Sequence, residues 1–437
     1  MVEPCKFSII TFGCKINQYE EELMKEQLLN AGFVLKRVEE ADVVIFNSCA
    51  VTEEALRKLF QKIRHVRRFN PHSKVVVTGC AVQTDLNRFE HFKVDAIVSL
   101  EKKKKIVPVV QEVLHGRSEI FDVNRTFWRN EELGEKISAD SWEKTRAFVK
   151  VEDGCDRACS YCAIRIARGS AIRSKPVSLV AEEVTHLVEK GFREIVLVGV
   201  NLGRYGKERG GSLVDLLKVL INVEGEFRIR LSSLNPEDID DDLISILATP
   251  KLCPHLHISL QSGSDSVLSR MNRSYQTADF FKIVEKLRKI DPLFSVSTDI
   301  IVGFPGETEE EFSKTLLLLE RFDFSRVHIF RFSPRKGTPA FRMNGQIDGT
   351  TKKRRARFLR AIAHQSTERY LRRHIGRKRT VLVEEEDGLS WGYDEYYIKC
   401  TLPTKDSGFI EATARTLKSK GEELYLDCGI LFERKVG

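Results

Sequence analysis

Short apolar runs that end in small or polar residues recur through the first hundred positions of the chain. Each run is four to six residues long, and each is followed by polar sequence with the composition of a helix, as at 18–31 and 52–69. Strands that alternate with helices form parallel sheets, because each helix returns the chain to the same edge. The pattern therefore predicts an N-terminal α/β domain with a parallel sheet. Its strand-like runs are residues 7–12, 42–46 and 74–77.

The middle of the chain repeats this alternation with six further strand-like runs. The first, at 147–151, leads into a loop with three cysteines, and helical patterns at 179–190, 277–290 and 308–322 separate most of the others. Six strands joined by helical crossovers fit a partial (β/α)6 barrel, in which chemistry takes place at the carboxyl ends of the strands. The other five runs lie at 194–198, 228–231, 256–260, 296–302 and 327–330.

The last part of the chain has only short strand-like runs separated by turn residues, which predicts a small β-barrel. Residues 130–144 are polar, lack apolar periodicity and are interpreted as a linker. We therefore predict an α/β chain of three domains, at residues 1–129, 145–372 and 375–437. The C-terminal runs lie at 381–384, 391–399, 408–411 and 423–426.

Length and composition agree with several packed domains. A chain of 437 residues suggests two to four domains, and 42% apolar residues suffice for their cores. No stretch reaches the roughly 18 uninterrupted apolar residues of a membrane span, and the N-terminus lacks the basic and apolar pattern of a signal peptide. We therefore expect a cytoplasmic protein with no membrane partner.

The positive charge of the chain is concentrated in one stretch. The net charge of +8 is modest, but residues 352–379 contain twelve lysines and arginines against the single acid Glu368. This excess favours a polyanionic partner over the alternative of a solvated helix face. Tyr393, Tyr396 and Tyr397 follow this stretch and are candidates for stacking on bases, although aromatic residues of a small barrel more often belong to its core.

Ten cysteines in a reducing compartment favour metal or redox chemistry over disulfides. Cys14, Cys49 and Cys80 each follow one N-terminal strand-like run. Because the carboxyl ends of parallel strands share one edge of the sheet, we expect these three to hold one iron–sulfur cluster rather than to be buried independently. Four cysteines outside any triad are predicted to be ordinary small apolar residues: Cys5, Cys253, Cys400 and Cys428.

A second triad, Cys155, Cys159 and Cys162, lies after the first barrel strand with gaps of three and two residues. Soft thiolates select soft metals, and a structural zinc or closed cluster takes four protein ligands. Three ligands therefore indicate a metal site with one open position. The alternatives are three free thiols, or a zinc knuckle with a distant fourth ligand.

Small and polar residues follow the later barrel strands and are candidates to line a cavity at the barrel mouth. The alternative for 303–306 is a tight turn, and Asp299 faces either the cavity or a helix. Three histidines on strands are expected to be packed core residues: His255, His257 and His328. The cavity candidates are Gly199, Asn201, Ser232, Gln261 and Gly303.

The second triad, with Tyr161 before its last cysteine, resembles the signature of the radical S-adenosylmethionine (SAM) enzymes. In that family three cysteines hold a [4Fe–4S] cluster whose open iron binds SAM, and an electron from the cluster cleaves SAM to a 5′-deoxyadenosyl radical. The resemblance implies that the second triad holds such a cluster. It also implies SAM contacts for Tyr161, Gly199, Asn201, Ser232, Gln261 and Gly303.

Residues 11–19 (TFGCKINQY), 47–52 (NSCAVT) and 78–80 (TGC) resemble the three motifs of the methylthiotransferase domain, which precedes the radical SAM domain in one small group of enzymes. This resemblance implies a second [4Fe–4S] cluster on Cys14, Cys49 and Cys80 that supplies or carries sulfur. The C-terminal region resembles the TRAM domain, a small barrel that binds RNA.

The chain also resembles this family just after the second triad, where residues 168–174 match an Arg-Gly-x-x-x-Arg-Ser pattern. Arg165 stands where the family usually has proline, and either meets a phosphate or faces solvent. We expect RNA contacts from this loop and from the basic stretch. The predicted RNA-binding residues are Arg168, Arg173, Lys352, Lys353, Arg354, Arg355, Arg377, Lys378 and Arg379.

The resemblance implies an enzyme that adds a thiomethyl group to C2 of N6-threonylcarbamoyladenosine at position 37, in the anticodon stem-loop of tRNA. One SAM yields the radical, a second donates the methyl group, a sulfide or persulfide source supplies sulfur, and an electron donor supplies the electron. Residues 13–19 and 49–55 favour this substrate over isopentenyladenosine tRNA or a ribosomal-protein aspartate. The alternative from another class, a non-catalytic iron–sulfur RNA-binding redox sensor, leaves the barrel without a role.

Overall fold

The computed structural model describes residues 3–50, 52–117, 119–121, 133–140, 142, 145–386 and 389–430. Every helix among these residues is too short or too polar to cross a membrane. The first strands and helices are β1 (Lys6–Thr11), α1 (Lys15–Asn30), β2 (Val34–Leu35), β3 (Val43–Ser48), α2 (Glu53–Phe69), β4 (Lys74–Gly79), α3 (Cys80–Phe89), β5 (Ala96–Val98), α4 (Ile106–Leu114) and β6 (Glu119–Phe121).

These six strands form one parallel sheet in the order β2-β1-β3-β4-β5-β6, as the alternation of apolar runs predicted. Every residue of β3 is buried, because α1 and α4 cover one face of the sheet and α2 and α3 cover the other. Thr11 pairs with Asn47, and Asn47 pairs with Thr78, so the three strands that precede the cysteines end side by side.

The middle of the chain forms the partial barrel. Its elements are β7 (Arg146–Asp153), α5 (Ile164–Arg168), β8 (Arg173–Ser174), α6 (Val177–Glu189), β9 (Glu194–Gly199), α7 (Leu213–Leu220), β10 (Arg228–Leu231), β11 (Ser233–Leu234), α8 (Asp241–Ile246), β12 (His255–Ile258), α9 (Asp265–Arg270), α10 (Thr277–Ile290), β13 (Ser295–Val302), α11 (Glu309–Arg321), β14 (Arg326–Arg331) and α12 (Gly349–Arg372).

The six predicted barrel strands are confirmed as β7, β9, β10, β12, β13 and β14. They lie in two sheets, β10-β9-β7-β8 and β11-β12-β13-β14, and these six strands run parallel within each sheet. Alternate residues such as Leu256 and Ile300 belong to the core beneath the helices. Their neighbours His257 and Asp299 therefore point to the inside of the barrel, because successive strand residues face opposite sides.

The C-terminal strands are β15 (Lys378–Glu386), β16 (Leu389–Tyr393), β17 (Lys399–Thr401), β18 (Gly408–Lys420) and β19 (Glu423–Ile430). They close into the predicted small barrel, in the order β15-β16-β17-β19-β18. The single strand predicted at 391–399 is wrong, because the chain turns at 394–398. Tyr397 has a φ of 64°, its amide donates to the carbonyl of Asp394, and the Asp394 carboxylate accepts from the Ile398 amide at 2.8 Å.

The described part of the predicted linker is not a free tether. Leu133 and Ile137 are buried, and the Ile137 amide donates to Glu183 on α6 at 3.1 Å. The Ser138 amide donates to Glu26 on α1 at 2.9 Å. Because both helices contact it, this segment holds the N-terminal sheet against the barrel. Its remaining positions lie outside the described residues.

The C-terminal barrel covers the amino ends of the middle strands. Arg228 and Arg230 on β10 lie 2.7 and 2.8 Å from the Glu194 carboxylate on β9. Their guanidinium groups also donate to the carbonyls of Tyr393 and Asp394, at 2.8 and 3.0 Å. These contacts close the end of the barrel opposite to the cysteine loop.

Candidate active site

The first cysteine triad lies at the carboxyl edge of the N-terminal sheet. Cys14 directly precedes α1, Cys49 follows β3, and Cys80 is the first residue of α3. Gly13 has a φ of +117°, and a Cβ at this position would lie 2.9 Å from the Cβ of Cys49. The glycine therefore lets the loop that carries Cys14 lie directly against Cys49. Burial raises the pKa of the Cys80 thiol, and the nearby Cys14 adds to this effect.

Asn17 holds the loops of this triad in place. Its buried amide nitrogen donates to the carbonyls of Phe12 and Ser48, at 2.8 and 3.1 Å. Its carbonyl oxygen lies 3.7 Å from the sulfur of Cys14. The prediction of site residues missed Asn17, although it stands inside the motif at 11–19. Its amide joins its own loop to Ser48, which lies 31 residues further along the chain, and no local pattern indicates such a contact.

The second triad lies in a loop that follows β7 and is held by the segment after α9. The Ser160 amide donates to the carbonyl of Met271 at 3.0 Å, and the Asn272 side chain donates to the carbonyl of Ala158 at 2.8 Å. Arg273 places a guanidinium nitrogen 3.1 Å from the sulfur of Cys159. Arg273 is therefore a site residue, and no sequence signal indicates it.

The separation of the sulfur atoms in each triad argues against a single zinc ion. Among the described residues, neither triad brings its three sulfur atoms within 4.8 Å of one another. A tetrahedral zinc ion with Zn–S bonds of about 2.3 Å needs sulfurs about 3.8 Å apart. Burial raises the pKa of Cys155 to about 12 and that of Cys162 to about 11, so a bound metal must displace their protons.

The predicted SAM contacts surround the carboxyl ends of the barrel strands. The Asn201 amide donates to Glu152 at 2.6 Å, and the Asn201 side-chain oxygen accepts from Asn235 at 2.8 Å. The Ser232 hydroxyl is buried and has no hydrogen-bond partner among the described residues. Gln261 adopts a left-handed backbone with a φ of 72°. An unsatisfied buried hydroxyl at the barrel mouth fits a site for a polar ligand.

The other predicted SAM contacts have protein neighbours of their own. A Cβ on Gly199 would lie 2.8 Å from the Glu152 carboxylate. Gly303 has a φ of +73°, and a Cβ there would lie 2.4 Å from the side chain of Lys352. Tyr161 packs against a small apolar cluster that includes Phe304. These SAM contacts remain predictions.

A buried ion network joins the two cysteine loops. Arg168, at the end of α5, lies 2.9 Å from Glu20 on α1 and 3.1 Å from Asp153 on β7. Lys103 and Lys150 also contact Glu20, at 2.7 and 3.2 Å. Burial alone would raise the pKa of Glu20, but the cations led by Arg168 hold it well below its usual range. The carboxylate is therefore ionised, and the network is charged.

The structure corrects four of the predicted RNA contacts, because Arg168, Arg173, Arg355 and Arg379 are buried. Arg173 lies 3.4 Å from Asp153. Arg355 lies 2.7 Å from Glu307, and Arg379 forms an ion pair with Asp394. Internal carboxylates neutralise these side chains, so they are not available to phosphate groups.

The other basic candidates are more accessible. Lys352 is half-buried, with its ammonium 5.0 Å from the centre of the Phe332 ring. Arg354 lies 2.6 Å from Glu309 and is partly exposed. Arg165 is exposed on α5, beside the second triad. The exposed predicted RNA contacts are Lys353, Arg354, Arg377 and Lys378.

The tyrosines of the C-terminal barrel face the middle domain. Tyr393 and Tyr397 stack with ring centres 4.7 Å apart, and Arg230 lies 4.6 Å from the centre of the Tyr397 ring. The Tyr396 hydroxyl donates to Asp291 at 2.9 Å. Tyr396 also packs against the core of the C-terminal barrel, as the sequence favoured, whereas Tyr393 and Tyr397 lie at the interface with the middle domain.

The inside of the barrel is lined by polar side chains. His255 is buried, as predicted, but His257 and His328 are partly exposed and do not belong to the packed core. The His257 Nε2 lies 3.1 Å from the Asp299 carboxylate. Candidate ligand atoms of His257, Asp299 and His328 lie within 4.8 Å of one another. Asp299 therefore faces the barrel interior, which decides between its two predicted orientations.

The sequence and the fold both match known proteins. Residues 6–99 match the uncharacterized protein family UPF0004, and residues 149–319 match the radical SAM superfamily. The threonylcarbamoyladenosine tRNA methylthiotransferase MtaB of Thermotoga maritima is 47% identical over 96% of each chain. The tRNA-2-methylthio-N(6)-dimethylallyladenosine synthase of Oceanobacillus iheyensis is 34% identical over 87% of this chain and 75% of its own. The radical SAM methyltransferase TsrM of Kitasatospora setae has a similar fold, with a TM-score of 0.58, 14% identity and 77% of each chain covered.

A partial barrel with three cysteines after its first strand defines a radical SAM protein, for which a [4Fe–4S] cluster and SAM are the family's cofactors. More particularly, the chain belongs to the radical SAM methylthiotransferase family, as the sequence predicted. It is therefore an enzyme, and the redox-sensor alternative is set aside.

Proposed function

We propose that the chain adds a thiomethyl group to C2 of N6-threonylcarbamoyladenosine at position 37 of tRNA. The names of the MtaB relatives from Thermotoga maritima and Bacillus subtilis, 47% and 35% identical, support this substrate. The C2–H bond of the adenine is replaced by a C2–S–CH3 group. Its methyl comes from one SAM, its sulfur comes from a sulfide or persulfide source, and the lost hydrogen leaves in 5′-deoxyadenosine.

The observation that carries this proposal is the Arg168 guanidinium between the two triads. It bonds to Glu20, in the helix that begins just after Cys14, and to Asp153, two residues before Cys155. Ala167 on α5 also packs into the apolar core beneath α3, the helix that begins with Cys80. The two cysteine loops thus belong to one rigid unit, as a transfer between neighbouring centres requires.

We propose that Cys14, Cys49 and Cys80 hold a second [4Fe–4S] cluster, in addition to the one on Cys155, Cys159 and Cys162. When bound, these groups and SAM supply hydrogen abstraction from an unreactive carbon and the sulfur for its replacement. The side chains of the protein orient the reactants and exclude water. Asn17 contacts the sulfur of Cys14 and Arg273 contacts the sulfur of Cys159, and the ion network joins the two cysteine loops.

The proposed partner is the anticodon stem-loop of tRNA, which the enzyme meets in the cytoplasm. Positive charge on the exposed face of α12 supports this proposal, because phosphate contacts dominate affinity for nucleic acids. An electron donor is the remaining partner. The exposed basic residues of α12 without an ion pair among the described residues are Lys353, Arg357 and Arg360.

The test is mass spectrometry of nucleosides after anaerobic incubation of reconstituted enzyme with SAM, sulfide, reductant and tRNA that carries threonylcarbamoyladenosine. We expect a 2-methylthio product that is absent without SAM. A parallel incubation uses tRNA with isopentenyladenosine. Modification of that tRNA alone would overturn the proposed substrate, and no product from either tRNA alongside abundant 5′-deoxyadenosine would point to the ribosomal protein.

A further inference from the structure

An ammonium group inside the barrel lacks a carboxylate partner. Lys15 directly follows Cys14, and its Nζ lies 5.4 Å from the centre of the Tyr397 ring. The described residues give this ammonium no hydrogen bond and no ion pair. By contrast, Arg146 lies 3.1 Å from Glu384, and Arg230 lies 2.8 Å from Glu194. Of these three neighbours of Tyr397, Lys15 is the one that forms no ion pair with a carboxylate of the described residues, and Glu194 acts on its ammonium only without direct contact.

Hydrogen-bonding side chains lie near Lys15, since the His255 ring lies 5.1 Å from the ring of Tyr397 and the Lys15 charge acts on both His255 and His328. The His257 Nδ1 lies 3.0 Å from the Ser297 hydroxyl, and its Nε2 lies 3.1 Å from Asp299. The ring centres of His257 and His328 are 5.6 Å apart. The side chains of His257 and Asp299 are 13% and 25% exposed although they point into the barrel, so a small polar group in the barrel interior can reach both of them.

The two charges of this space lie apart, because the Asp299 carboxylate contacts His257 whereas the Lys15 ammonium contacts no carboxylate of the described residues. Burial lowers the pKa of His328 to about 4, and burial together with nearby cations lowers that of His255 well below its usual value. Both rings are thus neutral near pH 7. An ammonium that has left water without a counter-charge is costly, and a ligand that brings a carboxylate removes that cost.

We propose that Lys15 forms a subsite for the carboxylate of the modified nucleoside, with His257, Asp299 and His328 as hydrogen-bonding groups beside it. The inference rests on the proposed function. The threonylcarbamoyl group ends in a carboxylate and a hydroxyl, whereas an isopentenyl group has neither. Lys15 thereby determines which tRNA is accepted, while its position next to Cys14 brings the nucleoside to the first triad.

The test measures binding of three anticodon stem-loop RNAs under anaerobic conditions. They carry threonylcarbamoyladenosine, its carboxamide analogue, or unmodified adenosine. A charge-assisted contact predicts that the wild-type protein binds the carboxylate form about 10- to 100-fold more tightly than the carboxamide. Lys15→Met should abolish this preference and Lys15→Arg should keep part of it. Lys58→Met, which removes an exposed charge on α2, is the matched control and should keep all of it.

Two results would overturn the subsite: a wild-type protein that binds the carboxylate and carboxamide forms equally, or a Lys15→Met protein that still prefers the carboxylate. Iron content and thermal unfolding of each variant show whether it has folded, and the arginine variant provides a second measurement if Lys15→Met does not fold. Because binding is measured without turnover, a stem-loop preference without any methylthio product would refute the proposed function and leave the subsite standing.

Discussion

Replacing Arg168 by methionine tests whether the buried ion network is structural. The Arg168 side chain is 2% exposed, and those of Glu20 and Asp153 are 8% and 1% exposed. Removing one partner from a buried ion pair costs about 3 to 5 kcal/mol, because the remaining charge stays buried. Here Glu20 keeps Lys103 at 2.7 Å, and Asp153 keeps Lys150 at 2.7 Å. We therefore expect Arg168→Met to lower the free energy of unfolding by about 3 kcal/mol, the lower limit of this range.

The assay is thermal and urea unfolding of Arg168→Met beside a matched variant, Arg354→Met. Arg354 also pairs with a glutamate, but its side chain is 46% exposed and that of Glu309 is 58% exposed. An exposed pair contributes about 0 to 1 kcal/mol. A loss of about 3 kcal/mol lowers the transition temperature by roughly 6 to 12 °C in a domain of this size, whereas the control should move by only a few degrees.

Arg168→Met should also uncouple the two steps of the reaction. Both cysteine triads remain in this variant, so we expect continued formation of 5′-deoxyadenosine with less methylthio product for each molecule formed. Equal stability of Arg168→Met and Arg354→Met, together with an unchanged product ratio, would refute the structural role of the network. If Arg168→Met lost RNA binding without a loss of stability, the result would instead support the phosphate contact that the sequence predicted for Arg168.

Three further outcomes are expected. Cys14→Ala should abolish methylthio product while 5′-deoxyadenosine still forms, and equal loss of both in a folded protein would show that the triads do not divide the reaction as proposed. Neutral replacement of three exposed residues of α12 should reduce the slope of log affinity for tRNA against log salt by about 0.9 for each phosphate that the protein no longer neutralises. The control Lys282→Gln on α10 should leave this slope unchanged. An unchanged slope in the α12 variant would exclude α12 as a tRNA-binding surface. The third outcome concerns His374, whose pKa burial lowers to about 3 and whose ring nitrogens lack partners among the described residues. Below about pH 6.5 the unfolded chain binds a proton on this imidazole that the folded protein does not bind, so the free energy of unfolding should fall by up to about 1.4 kcal/mol per pH unit on acidification. Urea unfolding of His374→Phe should show a smaller pH dependence by this amount. An unchanged pH dependence would mean that the ring is already protonated in the folded protein. The three α12 residues are Lys353, Arg357 and Arg360.

Much of the architecture was predictable because local sequence patterns indicate where the strands and helices lie. The apolar run at 42–46 corresponds to β3, which is buried on both faces, and six runs in the middle of the chain correspond to the six barrel strands. The cysteines directly follow strands, so the parallel topology alone brings Cys14, Cys49 and Cys80 to one edge. Their spacing and neighbouring residues were enough to indicate the family.

The roles of the charged and aromatic residues depend on contacts that sequence patterns do not show. Arg355 and Arg379 stand in a basic stretch and resemble RNA contacts, yet Glu307 and Asp394 neutralise them. The run at 391–399 has strand composition, but the ion pair of Asp394 and the left-handed Tyr397 turn the chain there. In each case the deciding partner is a side chain or a backbone conformation that composition does not specify.

The sequence by itself determined the two cysteine triads, the alternation of strands and helices, and the family, since strand period and ligand spacing are properties of neighbouring residues. Only the tertiary structure decided that Arg168 joins the triads, that Lys15 enters the barrel and that Tyr397 lies beneath it. The physical reason is that the effect of a charge depends on its burial and on its counter-charges. The counter-charges of Arg168 are the carboxylates of Glu20 and Asp153, which only folding brings together.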